Sequence, residues 1–145
     1  EYYRKHYPML SVNPEQIAWQ LDDSDKDMLP IMQSDIMLRK GNHVFIIDAK
    51  YYLHNTQEQY GAHTLHSANL YQIFTYVKNK EYELKDVEHM VSGMLLYAKT
   101  DETIQPDNSY IMSGNRISVK TLDLNVPFEK IKEQLDSIVK QEFEL

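Results

Sequence analysis

The apolar positions of this chain fall into two periods. Residues 31 to 39, IMQSDIMLR, and residues 43 to 52, HVFIIDAKYY, read as two strands. Gly41-Asn42 between them is a tight hairpin signal. The run Val44–Ile47 is uninterrupted, which predicts a strand buried on both faces. Residues 88 to 98, EHMVSGMLLYA, predict a further strand, and the alternating RISVKTLDL predicts a last one. Residues 16 to 21 predict a short first strand.

Helical spacing appears in three places. EYYRKHYPML reads as the end of a helix stopped by Pro8. Ser67 is the expected N-cap of a helix running to about residue 79. Leu70, Ile73, Phe74 and Val77 form its apolar stripe at i, i+3, i+4 and i+7. VPFEKIKEQLDSIVK predicts an amphipathic helix with Pro127 in its first turn and Phe128, Ile131, Leu135, Ile138 and Val139 buried. LDDSDKDMLP, LHNTQEQYGAHT and KTDETIQPDNS read as loops. The order strand, hairpin, helix, strand, strand, helix predicts an α/β or α+β fold: a mixed central sheet flanked by helices.

A length of 145 residues suits a single domain, 1–145, able to bury a core without disulfides; there is no cysteine. The absence of cysteine also leaves no thiolate chemistry and no cluster-bearing site. No apolar stretch approaches a membrane span and the start is not a signal peptide, so a cytoplasmic protein is expected. The first residue is Glu1, so the chain reads as a piece, the C-terminal part of something longer. The formal net charge of −7 argues against a general nucleic-acid binder, though not against a nuclease, whose site needs carboxylates and whose partner can supply basic surface.

The chemistry concentrates where the apolar run ends. Asp48 and Lys50 stand at i and i+2, on one face of a strand, about 6 to 7 Å apart along it. Counting outward from the Gly41-Asn42 turn puts Asp35 opposite Asp48, where Cβ atoms are about 4.5 to 5.5 Å apart. Two carboxylates that close repel unless a cation sits between them. Mg2+ fits, since it is commonly held by one or two carboxylates plus water and phosphate oxygens; Mn2+ is the alternative. Lys50 could stabilise charge on a phosphate or orient the attacking water. Gln72 and Tyr76, at i and i+4, share a helix face expected to be distinct from the apolar stripe.

Other features carry less. His54, His63 and His66 lack further zinc ligands at a suitable spacing and read as polar loop residues. Gly41 and Gly61 form no phosphate-binding loop, and there is no GKS/T motif. The seven methionines read as core filling. The DDSDKD stretch, residues 22 to 27, resembles a calcium loop only in composition and reads as solvated surface.

Asp35, the D-A-K of 48 to 50 and the Q-I-F-T-Y of 72 to 76 together resemble the PD-(D/E)xK nuclease superfamily in its QxxxY variant. The longer wording, LPIMQSDIMLRKGNHVFIIDAKYY followed by SANLYQIFTYVKN, resembles the McrC family, the nuclease subunit of 5-methylcytosine-specific restriction systems. The resemblance is strong over about Leu29 to Asn79, roughly a third of the chain. It implies a Mg2+-dependent endonuclease domain with a restriction-endonuclease-like core. Asp35, Asp48 and the Ala49 carbonyl would be metal ligands, Lys50 the catalytic lysine and Gln72 an accessory catalytic residue. Tyr76 and Tyr51 would be DNA contacts. The implied partners are modified DNA and an McrB-like AAA+ GTPase, with self-association on DNA, in a bacterial or archaeal cytoplasm. The sequence departs from the pattern twice: Ser34 replaces the motif's proline, and the acidic residue of the first helix has no match beyond Glu1. A RecB-like repair nuclease and a non-catalytic nuclease-fold scaffold are the alternatives.

Overall fold

The computed structural model describes residues 1–59 and 62–145; Gly61 and its neighbour Tyr60 lie outside them. Six strands form one mixed sheet in the order β1 (Ser11–Asn13), β4 (Ile36–Lys40), β5 (His43–Lys50), β8 (Met90–Ala98), β10 (Asn115–Leu122), β9 (Asn108–Met112). β5, β8 and β10 run parallel, while β1, β4 and β9 pair antiparallel on the flanks. Helix α2 (Ser67–Glu83) covers one face. Short α1 (Tyr2–His6) and α3 (Phe128–Phe143) cover the other. This is the mixed, helix-flanked sheet that the sequence predicts, and it is consistent with a nuclease-like core.

The sandwich explains the apolar run. Val44 and Ile46 pack with Ile73 and Val77 beneath α2. Phe45 and Ile47 alternate to the opposite side, against Tyr3, Tyr7, Val139 and Phe143. Covering both faces removes the alternation a half-exposed strand would show. Each fully buried Val, Ile or Phe side chain contributes about 1.5–3 kcal/mol. Gly93 on β8 lets α2 come close. A Cβ there would stand 2.7 Å from Val77 Cγ2 and 2.8 Å from Ile73 Cγ1. The hairpin is as read: Lys40 pairs with His43 across a two-residue turn, and Gly41 takes the left-handed φ of +61° that such turns require.

Several expectations need correction. The strand read over 31 to 39 is two pieces, β3 (Met32–Gln33) and β4, broken at Ser34-Asp35. Residues 16 to 21 contribute only β2 (Gln16–Ile17), paired with β3. Beyond it the chain is held by side chains, with Trp19 Nε1 donating to the Pro30 carbonyl at 2.7 Å and the Gln20 amide to Asn79 Oδ1 at 2.9 Å. The polar stretch 53–64 contains an antiparallel ribbon, β6 (Thr56–Gln59) with β7 (Ala62–Leu65). The first edge strand β1 and the edge strand β9 escaped the pattern because they are short or face solvent.

Helix ends and faces also differ. The N-cap of α2 is His66, without a side-chain cap bond; Ser67 is the first helical residue, and the helix continues to Glu83. Its inward face is Asn69, Ile73, Tyr76, Val77 and Lys80, so Tyr76 belongs to the core face. Phe74 is only partly buried. Phe128 in α3 is 65% exposed. Met32, Met37 and Met94 are core, but Met9, Met28 and Met90 are exposed. The acidic segment 22–27 is solvated, as read.

Candidate active site

The β4–β5 ladder has the expected register and ends one pair short, at Ile36 opposite Ile47. Beyond that pair β4 breaks, so Asp35 is exposed while Asp48 is 4% exposed. Asp35 does not simply face Asp48 across the ladder. Its Oδ2 accepts a hydrogen bond from the Ala49 amide at 2.8 Å, which pins the carboxylate to β5 one residue from Asp48.

Strand alternation sends Asp48 and Lys50 to the α2 side, following Val44 and Ile46. There the Lys50 ammonium lies 2.7 Å from Asp48 Oδ2 and donates to Gln72 Oε1, also at 2.7 Å. Gln72 Nε2 in turn donates to the Tyr76 hydroxyl at 3.0 Å. Asp48 Oδ2 is buried and has no well-directed hydrogen bond, so its contact with Lys50 is ionic.

Burial pushes the Asp48 carboxyl up from its ordinary pKa; the Lys50 ammonium opposes this and the nearby Asp35 adds to it, and the balance stays raised. For Lys50 burial works downward, but the Asp48 carboxylate overcomes it and holds the ammonium above its ordinary value. Lysine is therefore charged here at neutral pH. Its three N–H donors divide into one toward Asp48, one to Gln72 and one left over.

The site thus unites Asp35, Asp48, Lys50 and Gln72. Tyr76 closes the hydrogen-bond chain from beneath, at 7% exposure, with its hydroxyl engaged by Gln72. Tyr51 is 83% exposed just past the strand end, where a DNA contact is sterically open. Two close carboxylates, one of them buried, suit a hard cation that keeps several waters. No group of three or more acidic, histidine or cysteine side chains that could hold a metal occurs among the described residues. His63 Nδ1 lies 3.3 Å from Thr56 Oγ1 and His66 Nε2 lies 3.3 Å from the His54 carbonyl, so these histidines serve the ribbon. Glu1 heads α1, which packs on the sheet face opposite Asp48.

Sequence reasoning missed a second hydrogen-bonded set beside Lys50. Tyr97 is the ladder partner of Lys50 on β8 and is fully buried. Asn69 Nδ2 donates to its hydroxyl at 2.9 Å, and the Tyr52 hydroxyl donates to Asn69 Oδ1 at 3.1 Å. The only sequence signal was spacing: Asn69 precedes Gln72 by three residues, nearly one turn.

Comparison with known proteins agrees with the sequence wording. Residues 5–98 match the family described as McrBC 5-methylcytosine restriction system component. Over 138 residues the chain is 26% identical to the type IV methyl-directed restriction enzyme EcoKMcrBC of Escherichia coli (strain K12), a match covering 93% of this chain and 38% of that relative. The chain therefore spans less than half the length of the curated relative it matches. Since the family match extends over well more than half of the residues, the chain belongs to the McrBC 5-methylcytosine restriction system component family.

Proposed function

We propose that this chain is the metal-dependent nuclease domain of an McrC-type subunit, hydrolysing DNA phosphodiesters within a modification-dependent restriction complex. The observation that carries this reading is the single cluster of Asp48, Lys50 and Gln72, with Asp35 tied to the next amide. Asp35 and Asp48, with the Ala49 carbonyl, would hold Mg2+ or Mn2+. Bound there, the ion supplies a Lewis acid and a bound water of lowered pKa. Lys50 keeps its proton, and its third N–H is free to orient the attacking water or to stabilise a phosphate oxygen. Gln72 fixes the direction of that ammonium by accepting one N–H. Tyr51 would touch the DNA strand. An McrB-like AAA+ GTPase would bind modified DNA and deliver it to this site, in a bacterial or archaeal cytoplasm, and copies would associate on DNA. Family membership favours this role over a RecB-like repair nuclease.

One observation favours a scaffold instead: the ammonium of Lys50 already offsets the Asp48 charge, so the fold does not need a metal. Cleavage of 5-methylcytosine DNA by the assembled complex decides between them. Asp48→Asn and Lys50→Ala should each abolish Mg2+-dependent cleavage while circular dichroism and assembly stay normal. Cleavage at the wild-type rate by Asp48→Asn would mean that the chemistry lies elsewhere.

A further inference from the structure

Helix α2 must meet the sheet at one height and one rotation for Gln72 to reach Lys50. Its height is set in the middle, where Ile73 and Val77 lie on the bare backbone of Gly93. That contact is apolar, as is the packing of Leu70 from the first turn against the same core. The directional contacts of the first turn come from Asn69, which is 5% exposed. Both ends of its amide are used, one reaching β8 and the other the segment just past the end of β5. Nδ2 donates to Tyr97, the ladder partner of Lys50; Oδ1 accepts from Tyr52, two residues beyond Lys50. A planar amide bonded at both ends to phenols from two segments is held in place by both, since each phenol can donate or accept. Leaving either end unmade in a buried place is costly.

We propose that Asn69 is a positioning residue for the nuclease reaction, clamping the first turn of α2 through Tyr52 and Tyr97 so that Gln72 holds the Lys50 ammonium on Asp48. The inference rests on the nuclease reading above. It assigns a role to three residues outside the D-A-K and Q-x-x-x-Y wording, and it predicts that their effect on rate passes through Gln72. A displacement of about 1 Å at the reacting groups can cost up to about a hundredfold in rate.

The test is a double-mutant cycle in the full-length subunit assembled with its GTPase partner, on 5-methylcytosine duplex DNA with Mg2+. Asn69→Ala and Gln72→Ala should each lower kcat about tenfold with KM little changed. The double variant should be no more than about twofold slower than Gln72→Ala alone, the non-additivity of residues acting through one contact. Tyr97→Phe removes one hydroxyl and keeps the ring packing, so it reports the same direction if Asn69→Ala folds poorly. A normal kcat per folded molecule in both Asn69→Ala and Tyr97→Phe, with only Tm reduced, would overturn the proposal, as would rate losses that multiply with Gln72→Ala. Asp48→Asn is run alongside. If it cuts normally, the nuclease reading fails and this inference falls with it; if it is dead while Asn69→Ala is unimpaired, this inference fails alone.

Discussion

Burial, the Asp35 charge and the Lys50 ammonium act on Asp48 in opposite senses, and the carboxyl ends above its ordinary pKa. A carboxyl raised in the folded state binds more protons there than in the unfolded chain. Metal-free stability should therefore fall as pH rises from the ordinary aspartate range through the raised value. Asp35→Asn removes one source of that rise yet keeps an oxygen to accept from the Ala49 amide. In EDTA its stability should exceed wild type near neutral pH by less than about 1 kcal/mol, because Asp35 is exposed and screened. Thermal melts across pH test this, and a variant less stable than wild type would show that the anionic bond to Ala49 outweighs the repulsion. At this scale Asp35, Asp48, Lys50 and Gln72 were legible, because strand alternation, hairpin counting and helix spacing are rigid local rules. The spacing alone puts Tyr76 on a flank, but a fraction of a turn moves it to the core face, and that rotation depends on how Ile73 and Val77 of the stripe meet Gly93 and how Asn69 meets Tyr97.

The β6–β7 ribbon is the element with least local support. Two strands without a core of their own are marginal in water. Its base is held by Glu102, which accepts from the Asn55 amide, from the Thr56 hydroxyl at 2.7 Å and from the Thr100 hydroxyl at 2.8 Å. Asn55 is fully buried, and its side chain donates to the Ala98 carbonyl at 2.8 Å. Burial alone would raise the Glu102 pKa, but these donors overcome it and lower it from 4.5 to about 2. The sign follows: the carboxylate stabilises the ribbon base above the ordinary glutamate range, and that contribution is lost as pH falls from there toward about 2. Protection factors at the Asn55 and Thr56 amides, taken against the intrinsic exchange rate at each pH, should therefore fall between about pH 4.5 and 2.5 in wild type. Glu102→Gln should show lower protection at pH 7 and little further loss on acidification; identical protection profiles would remove Glu102 from this role. The ribbon reads as a loop in the sequence because, Ala62 and Leu65 apart, its strand residues are polar, and polar alternation carries no apolar signal.

At the scale of the molecule, the net charge of −7 leaves little attraction for DNA. Lys78, Lys80, Lys99, Arg116, Lys120, Lys130 and Lys132 each lie within ion-pair distance of a carboxylate, so much of the positive charge is already answered. The 145-residue chain alone should leave the anisotropy of a labelled duplex unchanged at micromolar concentration and about 0.15 M salt. Saturable binding under those conditions would show that the chain carries its own DNA surface. Among the described residues no helix is long and apolar enough to cross a membrane.

Local pattern in the sequence was enough for the doubly buried strand, the Gly41-Asn42 hairpin and its register, the helix over 67–83 in its first three turns, and the gathering of Asp35, Asp48 and Lys50 at one strand end. Each depends on neighbours in the chain and on fixed backbone periods. Tertiary structure alone decided the break at Ser34-Asp35, the rotation of α2, the pairing of Lys50 with Tyr97 across a parallel ladder and the Asn69 clamp. Those depend on contacts between segments far apart in sequence, whose relative height and register no local period encodes.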